Sequence, residues 1–226
     1  MRQHLLIDAD DTLWENNIYF ESAFHAFCDF LGHSSLNRDQ VRAALDEIEL
    51  VNIRTHGYGA ANFGRNMVEC YRRLVERAIA PEDAAHILEL ARQINDHPLQ
   101  IIDGVPDTLR YLAAHHDLVL LTKGNTEEQS LKVGKSGLAP YFRETVIVRE
   151  KDAGVYRRVI EEHCLNGEQC WMVGNSPKSD INPALEAGIG AVYVPHARTW
   201  HLEHQEMRNG GRLLVVERFR DLVNHF

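Results

Sequence analysis

Three acids and a threonine stand together in Asp8-Ala9-Asp10-Asp11-Thr12, directly after the short apolar run Leu5-Leu6-Ile7. Polar residues also follow three later apolar runs. Thr122 and Lys123 come after Leu118 to Leu121, Arg149 and Lys151 after Thr145 to Val148, and Gly174, Asn175 and then Asp180 after Cys170 to Val173. Carboxylate and carbonyl oxygens of this kind suit magnesium, and the hydroxyl, amide and ammonium donors suit a phosphate. An isolated Asp after a strand is ordinarily a turn former or helix cap, and Thr122 before Gly124-Asn125 also fits an ordinary turn. The Asp-x-Asp-x-Thr spacing directly behind an apolar run favours chemistry. Lys123, Lys132, Lys135 and Arg149 are possible substitutes for Lys151.

These residues can act together only if the runs are neighbouring strands. After Pro98 short apolar runs alternate with helical segments, which predicts a parallel sheet with helical crossovers. The expected strands are Leu118 to Leu121, Thr145 to Val148, Cys170 to Val173, Ala191 to Val194 and Leu213 to Val216, with helices starting near Pro106, Thr126, Ala153, Pro177 and Arg218. The Leu5 run needs these strands as neighbours, because a lone strand cannot bury both faces. In such a sheet ligands bind beyond the carboxyl ends of the strands, where the polar residues lie. From Trp14 to His97 the apolar residues recur at helical spacing, as in Phe20, Phe24, Phe27 and Leu31. Gly32 and Ser34-Ser35 close the first helix of this block, Gly57 through Gly64 loosen its middle, and Pro81 opens its last helix. The expected fold class is α/β, with a discontinuous core of residues 1–15 and 98–226 and an inserted all-helical domain of residues 16–97.

The chain has 226 residues, 44% of them hydrophobic and 25% charged, which is enough apolar material to bury a core. A net charge of -9 without a basic stripe argues against nucleic acid and anionic membranes as partners. Asp8, Asp10 and Asp11 fall where a signal peptide would be apolar, and Cys28, Cys70, Cys164 and Cys170 form no Cys-x-x-Cys pair. A cytoplasmic protein with reduced thiols is expected. Gly134-Lys135-Ser136 lacks the first glycine of a phosphate loop, His201 and His204 belong to no zinc-helix motif, and Trp200 with Pro195 and Thr199 reads as loop packing.

The sequence resembles the haloacid dehalogenase-like (HAD) hydrolase superfamily. Asp8-Ala9-Asp10-Asp11-Thr12 is similar to its first motif, Thr122 to its second, Lys151 to its third, and Gly174-Asn175-Ser176-Pro177-Lys178-Ser179-Asp180 to its fourth, and the four occur in family order. Asn175 departs from the acid that many members carry there. The resemblance implies a Rossmann-like parallel sheet with helices on both faces and a helical C1 cap in the inserted block. It implies Asp8 as nucleophile, Asp10 as acid and base, Lys151 as charge balance, and Thr122, Lys123 and Gly124 as substrate contacts. A magnesium ion would be held by Asp8, the Asp10 carbonyl and Asp180, with Asn175 as a further candidate. Within the cap, Arg54, His56, Tyr58 and Asn62 gather around two glycines and are candidates for the leaving group.

The implied activity is magnesium-dependent hydrolysis of a small phosphorylated metabolite by a monomer or homodimer. A 2-haloacid dehalogenase of the same fold lacks the second acid at Asp10, whereas a phosphomutase shares the core residues and differs in the acceptor. A phospho-accepting signalling module fits less well, since it has no large helical insertion.

Overall fold

The computed structural model describes residues 2–208 and 210–226. By contacts the chain divides into two compact units, Met1–Asn17 with Leu99–Phe226, and Ile18–Pro98.

The elements run in chain order. Strand β1 (His4–Ile7) is followed by helices α1 (Asn17–Leu31), α2 (Arg38–His56), α3 (Ala60–Leu74) and α4 (Asp83–Arg92). Then come α5 (Val105–His115), β2 (Asp117–Lys123), α6 (Thr126–Ser136), β3 (Glu144–Val148), α7 (Ala153–Glu162), β4 (Cys170–Gly174), α8 (Asn182–Ala187), β5 (Gly190–Tyr193) and β6 (Leu213–Val215). The expected helix near Pro177 begins as one wide turn, Pro177–Ile181, ahead of α8, and the one near Arg218 is a 3₁₀ stretch, Phe219–Asn224.

The strands form a parallel sheet in the order β3-β2-β1-β4-β5-β6. Because successive side chains of a strand point to opposite faces, each inner strand feeds two cores. Leu5, Ile7, Leu118, Leu120 and Val173 pack with Val105, Leu109 and Leu112 of α5, whereas Leu6, Val119, Leu121 and Met172 pack with Tyr156 and Val159 of α7. Helices on both faces explain why β1 and β2 read as unbroken apolar runs. The chain crosses from one side of β1 to the other, so the ends of β2 and β4 flank the end of β1. That is the crevice where ligands of such sheets bind.

The helical unit has its own core, centred on Phe27, Leu45, Ile48, Phe63, Met67, Tyr71 and Ile87. Helix α2 begins with a capping box, in which the Asn37 side chain accepts from the Gln40 N–H and the Gln40 side chain accepts from the Asn37 N–H. The reading of Gly57 through Gly64 as one loosened stretch needs correction. Gly57 and Gly59 lie between helices at φ 76° and 114°, but Gly64 is inside α3, where a Cβ would come within 2.8 Å of Ala91 Cβ. It is a packing glycine that brings α3 against α4. Among the described residues no helix is long and apolar enough to cross a membrane.

Candidate active site

Asp8 is the first residue beyond β1, and its N–H still donates to Val173 O at 2.9 Å. The chain then turns sharply. The N–H groups of Thr12 and Leu13 both reach Ala9 O, at 3.2 and 2.8 Å, and Asp11 sits at φ 59°, a left-handed conformation uncommon for a residue with a Cβ. Its carboxylate accepts from the N–H groups of Asn16 and Asn17 at 2.8 and 3.1 Å, which ties the turn to the start of α1. Burial pushes the Asp11 carboxyl up to about 7.

At the carboxyl edge of the sheet Lys151 joins two acids. Its Nζ lies 2.5 Å from Asp8 Oδ1 and 2.8 Å from Asp180 Oδ1, and all three residues are buried. Thr12 Oγ1 donates to Asp8 Oδ2 at 3.1 Å. Asp180 is fixed by the Ser176 N–H, 3.0 Å from its Oδ2, and lies so close to Gly174 that a Cβ there would meet the carboxylate. Burial and then the charge of Asp180 push Asp8 up to about 7, against the opposing pull of Lys151. Burial works against the Lys151 charge, but Asp180 and Asp8 outweigh it and raise its pKa. Two buried carboxylates thus face one ammonium, and the cluster carries unbalanced negative charge. Hard oxygen donors with excess negative charge fit a magnesium ion.

Asp10 has a different environment. Lys132 Nζ lies 2.9 Å from both its oxygens, Gln129 Nε2 donates to Oδ2 at 2.8 Å and Trp14 Nε1 to Oδ1 at 2.7 Å. Burial would raise this carboxyl, but the charge of Lys132 and the three sets of hydrogen bonds hold it below the usual range. Gly124, at φ 142°, leaves room for Gln129, whose Nε2 would stand 3.1 Å from a Cβ there. That contact and the positive φ both account for a glycine at this position.

The remaining expected residues fall into four groups. Thr122 is buried at the end of β2. Lys123, an expected substrate contact, has its Nζ 2.7 Å from both Glu203 Oε1 and Ser179 Oγ. Glu203 Oε2 accepts from Ser176 Oγ and Ser179 Oγ, and despite burial these partners, led by the Lys123 charge, lower its pKa. Asn175 is buried with its Oδ1 facing Thr12 Oγ1 at 3.2 Å and its Nδ2 donating to Thr199 Oγ1 at 2.8 Å. In the helical unit, Asn62 Nδ2 donates to the carbonyls of His56 and Gly57 at the end of α2, so this side chain closes a helix end locally. Arg54 and His56 lie in the last turn of α2, and Tyr58 lies between Gly57 and Gly59.

Sequence reasoning missed the partners that hold the acids. Gln129 and Lys132 carried a faint signal, three apart on one face of the helix after Thr122. Glu203 and Thr199 lie in a loop without a periodic pattern. A further group, Asp11, Glu15 and His196, places three ligand atoms within 4.8 Å of one another.

The buried carboxylates Asp8 and Asp180 thus meet Lys151 at the strand ends of a Rossmann-like parallel sheet. The chain belongs to the haloacid dehalogenase-like hydrolase family, whose profile matches residues 3–188. It is 27% identical over 188 residues to a phosphoserine phosphatase of Thermus thermophilus, covering 78% of this chain and 70% of that one. Over 113 residues, 46% of each chain, it is 32% identical to the pyrimidine 5′-nucleotidase PynA of Streptococcus pneumoniae. Among solved structures, a haloacid dehalogenase-like family hydrolase from Xanthomonas campestris superimposes with a TM-score of 0.87 at 32% identity, covering 99% of this chain and 90% of that chain. The HAD-hydrolase YfnB of Bacillus subtilis, bound to magnesium in its crystal, shares the fold at a TM-score of 0.70 and 16% identity, over 99% and 98% of the two chains.

Proposed function

We propose that this hydrolase cleaves a small phosphomonoester in two phosphoryl transfers on Asp8, with magnesium as cofactor. The observation that carries the reading is the pairing of two buried carboxylates, Asp8 and Asp180, with the single ammonium of Lys151. In the first transfer a bond forms between an Asp8 oxygen and phosphorus as the bond to the leaving oxygen breaks, and Asp10 gives that oxygen a proton. In the second, water attacks the same phosphorus, its proton passes to Asp10, and the electron pair of the broken bond returns to the Asp8 carboxylate. Lys151 offsets charge on Asp8, and Thr122 donates to a phosphate oxygen. Asp8, the Asp10 carbonyl and Asp180 would hold magnesium, which when bound supplies the positive charge that lets a dianionic phosphate approach a carboxylate.

Asp10 favours this reading over halide displacement, which needs no second acid. The names of the relatives put phosphoserine and pyrimidine 5′-nucleotides at the head of a substrate panel. Selection of the leaving group is assigned to the Arg54 to Asn62 segment, with Arg54, His56 and Tyr58 as its candidates. The test is phosphate release from the panel with and without magnesium. Release that needs both the metal and Asp8 supports the proposal, and metal-independent chloride release from 2-chloropropionate would replace it with a dehalogenase.

A further inference from the structure

The Asp10 carboxylate is surrounded by donors. Oδ1 receives Trp14 Nε1–H at 2.7 Å and Lys132 Nζ at 2.9 Å, and Oδ2 receives Gln129 Nε2–H at 2.8 Å and the same Nζ at 2.9 Å. Lys132 Nζ also reaches Asn16 Oδ1 at 2.7 Å, so the ammonium is anchored on two sides. Its side chain is 17% exposed and that of Asp10 is 22% exposed. An ion pair in such a place contributes little net stability, because desolvation offsets much of the attraction. What the arrangement does supply is orientation. Two planar donors and one ammonium direct N–H groups at both oxygens of the carboxylate.

We propose that Lys132 is a positioning residue, which holds Asp10 in the orientation where it takes the proton from the water that attacks phosphorylated Asp8. The inference rests on the two-transfer reading above. In the step it serves, a bond forms between the water oxygen and phosphorus, the bond from phosphorus to Asp8 breaks, and the water proton moves to Asp10. The first transfer has a different requirement. With p-nitrophenyl phosphate the leaving phenolate departs without a proton, so Asp10 is dispensable there and the orientation set by Lys132 matters only for the second transfer. A slower second transfer lowers kcat and KM together and leaves kcat/KM, which reports the first, nearly unchanged.

The experiment compares the wild type with Lys132→Met, Lys132→Gln and Lys132→Arg on p-nitrophenyl phosphate with saturating magnesium. Lys132→Met and Lys132→Gln should lower kcat by about tenfold or more while kcat/KM stays within about threefold, and Lys132→Arg, which keeps the charge and the donors, should recover most of the loss. The chain has 3 Trp residues, so its indole N–H spectrum is simple to assign. In Lys132→Met the Trp14 signal should shift while those of Trp171 and Trp200 hold, which separates a changed contact from a changed fold. If Lys132→Met does not fold, Lys132→Gln and Lys132→Arg carry the comparison. An equal fall in kcat and kcat/KM, a Met variant as fast as the wild type, or an unmoved Trp14 signal overturns the proposal. A wild type that releases phosphate from no phosphomonoester removes the phosphatase reading and this inference with it, whereas an active wild type with indifferent Lys132 variants removes the inference alone.

Discussion

Asp8 and Asp180 are held to one ammonium, Lys151 Nζ standing 2.5 Å from an oxygen of the first and 2.8 Å from an oxygen of the second. The cluster stores electrostatic cost in the folded state. Asp8 is pushed from 3.8 up to about 7, so the folded chain keeps its proton at pH values where the unfolded chain has released it. The penalty from this group is absent at low pH, grows as pH rises through that interval and is complete above it, reaching on the order of 1–4 kcal/mol. Metal-free Asp8→Asn should therefore melt above the wild type at about pH 8, with the gap closing toward about pH 4. Thermal scans at the two pH values check this, and a variant that melts lower at the higher pH contradicts it.

Asp10 and Asp180 should separate by phenotype. Asp10→Asn keeps the backbone carbonyl and loses the proton carrier, so kcat should fall at any magnesium concentration. Asp180→Ala removes ligand charge, so the magnesium concentration for half-maximal activity should rise by about tenfold or more. Magnesium titrations of both variants decide the matter. Rescue of the Asp10 variant by excess metal, and not of the Asp180 variant, would reverse the two roles.

Glu203 should matter for stability because it is the counter-charge of Lys123. Replacing it with Gln leaves the largely buried ammonium facing the more exposed Glu150 carboxylate, 3.4 Å away, at a cost of about 1–3 kcal/mol. Lys123→Met should destabilise comparably, and the double variant should recover part of the loss, since it leaves neither charge alone. Urea unfolding of the three variants measures the coupling. Strict additivity would mean that the pair does not act as a unit.

The helical unit has an acid-sensitive contact in Asp83. Arg77 donates to both its oxygens, and Tyr71 Oη and the Ala80 N–H donate to Oδ2. These hydrogen bonds, that of Arg77 first, lower its pKa from 3.8 to about 2. The depressed pKa means a contribution that is full above the unfolded value and lost as pH falls from 3.8 toward 2. Asp83→Asn should flatten the acid limb of the stability curve in that window, and an unchanged limb would show that the contact is not coupled to unfolding.

How much of this was visible in the sequence depends on whether the cause is local. The parallel sheet was legible because burial of both faces forces unbroken apolar runs such as Leu118 to Leu121, and the polar residues stood out because they break those runs abruptly. The clamp on Asp10 was not legible, since Lys132 lies 122 residues away and a lysine on a helix normally reads as a solvated face. Glu203 meets Lys123 across 80 residues from a loop without periodicity. Gly64 was misread for the converse reason. A glycine signals a turn in isolation, but here its lack of a side chain answers to Ala91 on another helix.

The central claim is that water attacks phosphorus on Asp8. The most direct measurement is a single turnover of a phosphomonoester with magnesium in heavy-oxygen water, followed by mass spectrometry of the released phosphate and of the peptide containing Asp8. The account predicts a transient phosphoryl adduct on Asp8, heavy oxygen in the phosphate and none in the Asp8 carboxylate. Heavy oxygen in the Asp8 carboxylate, or phosphate released by an Asp8→Asn variant at the wild-type rate, would contradict it.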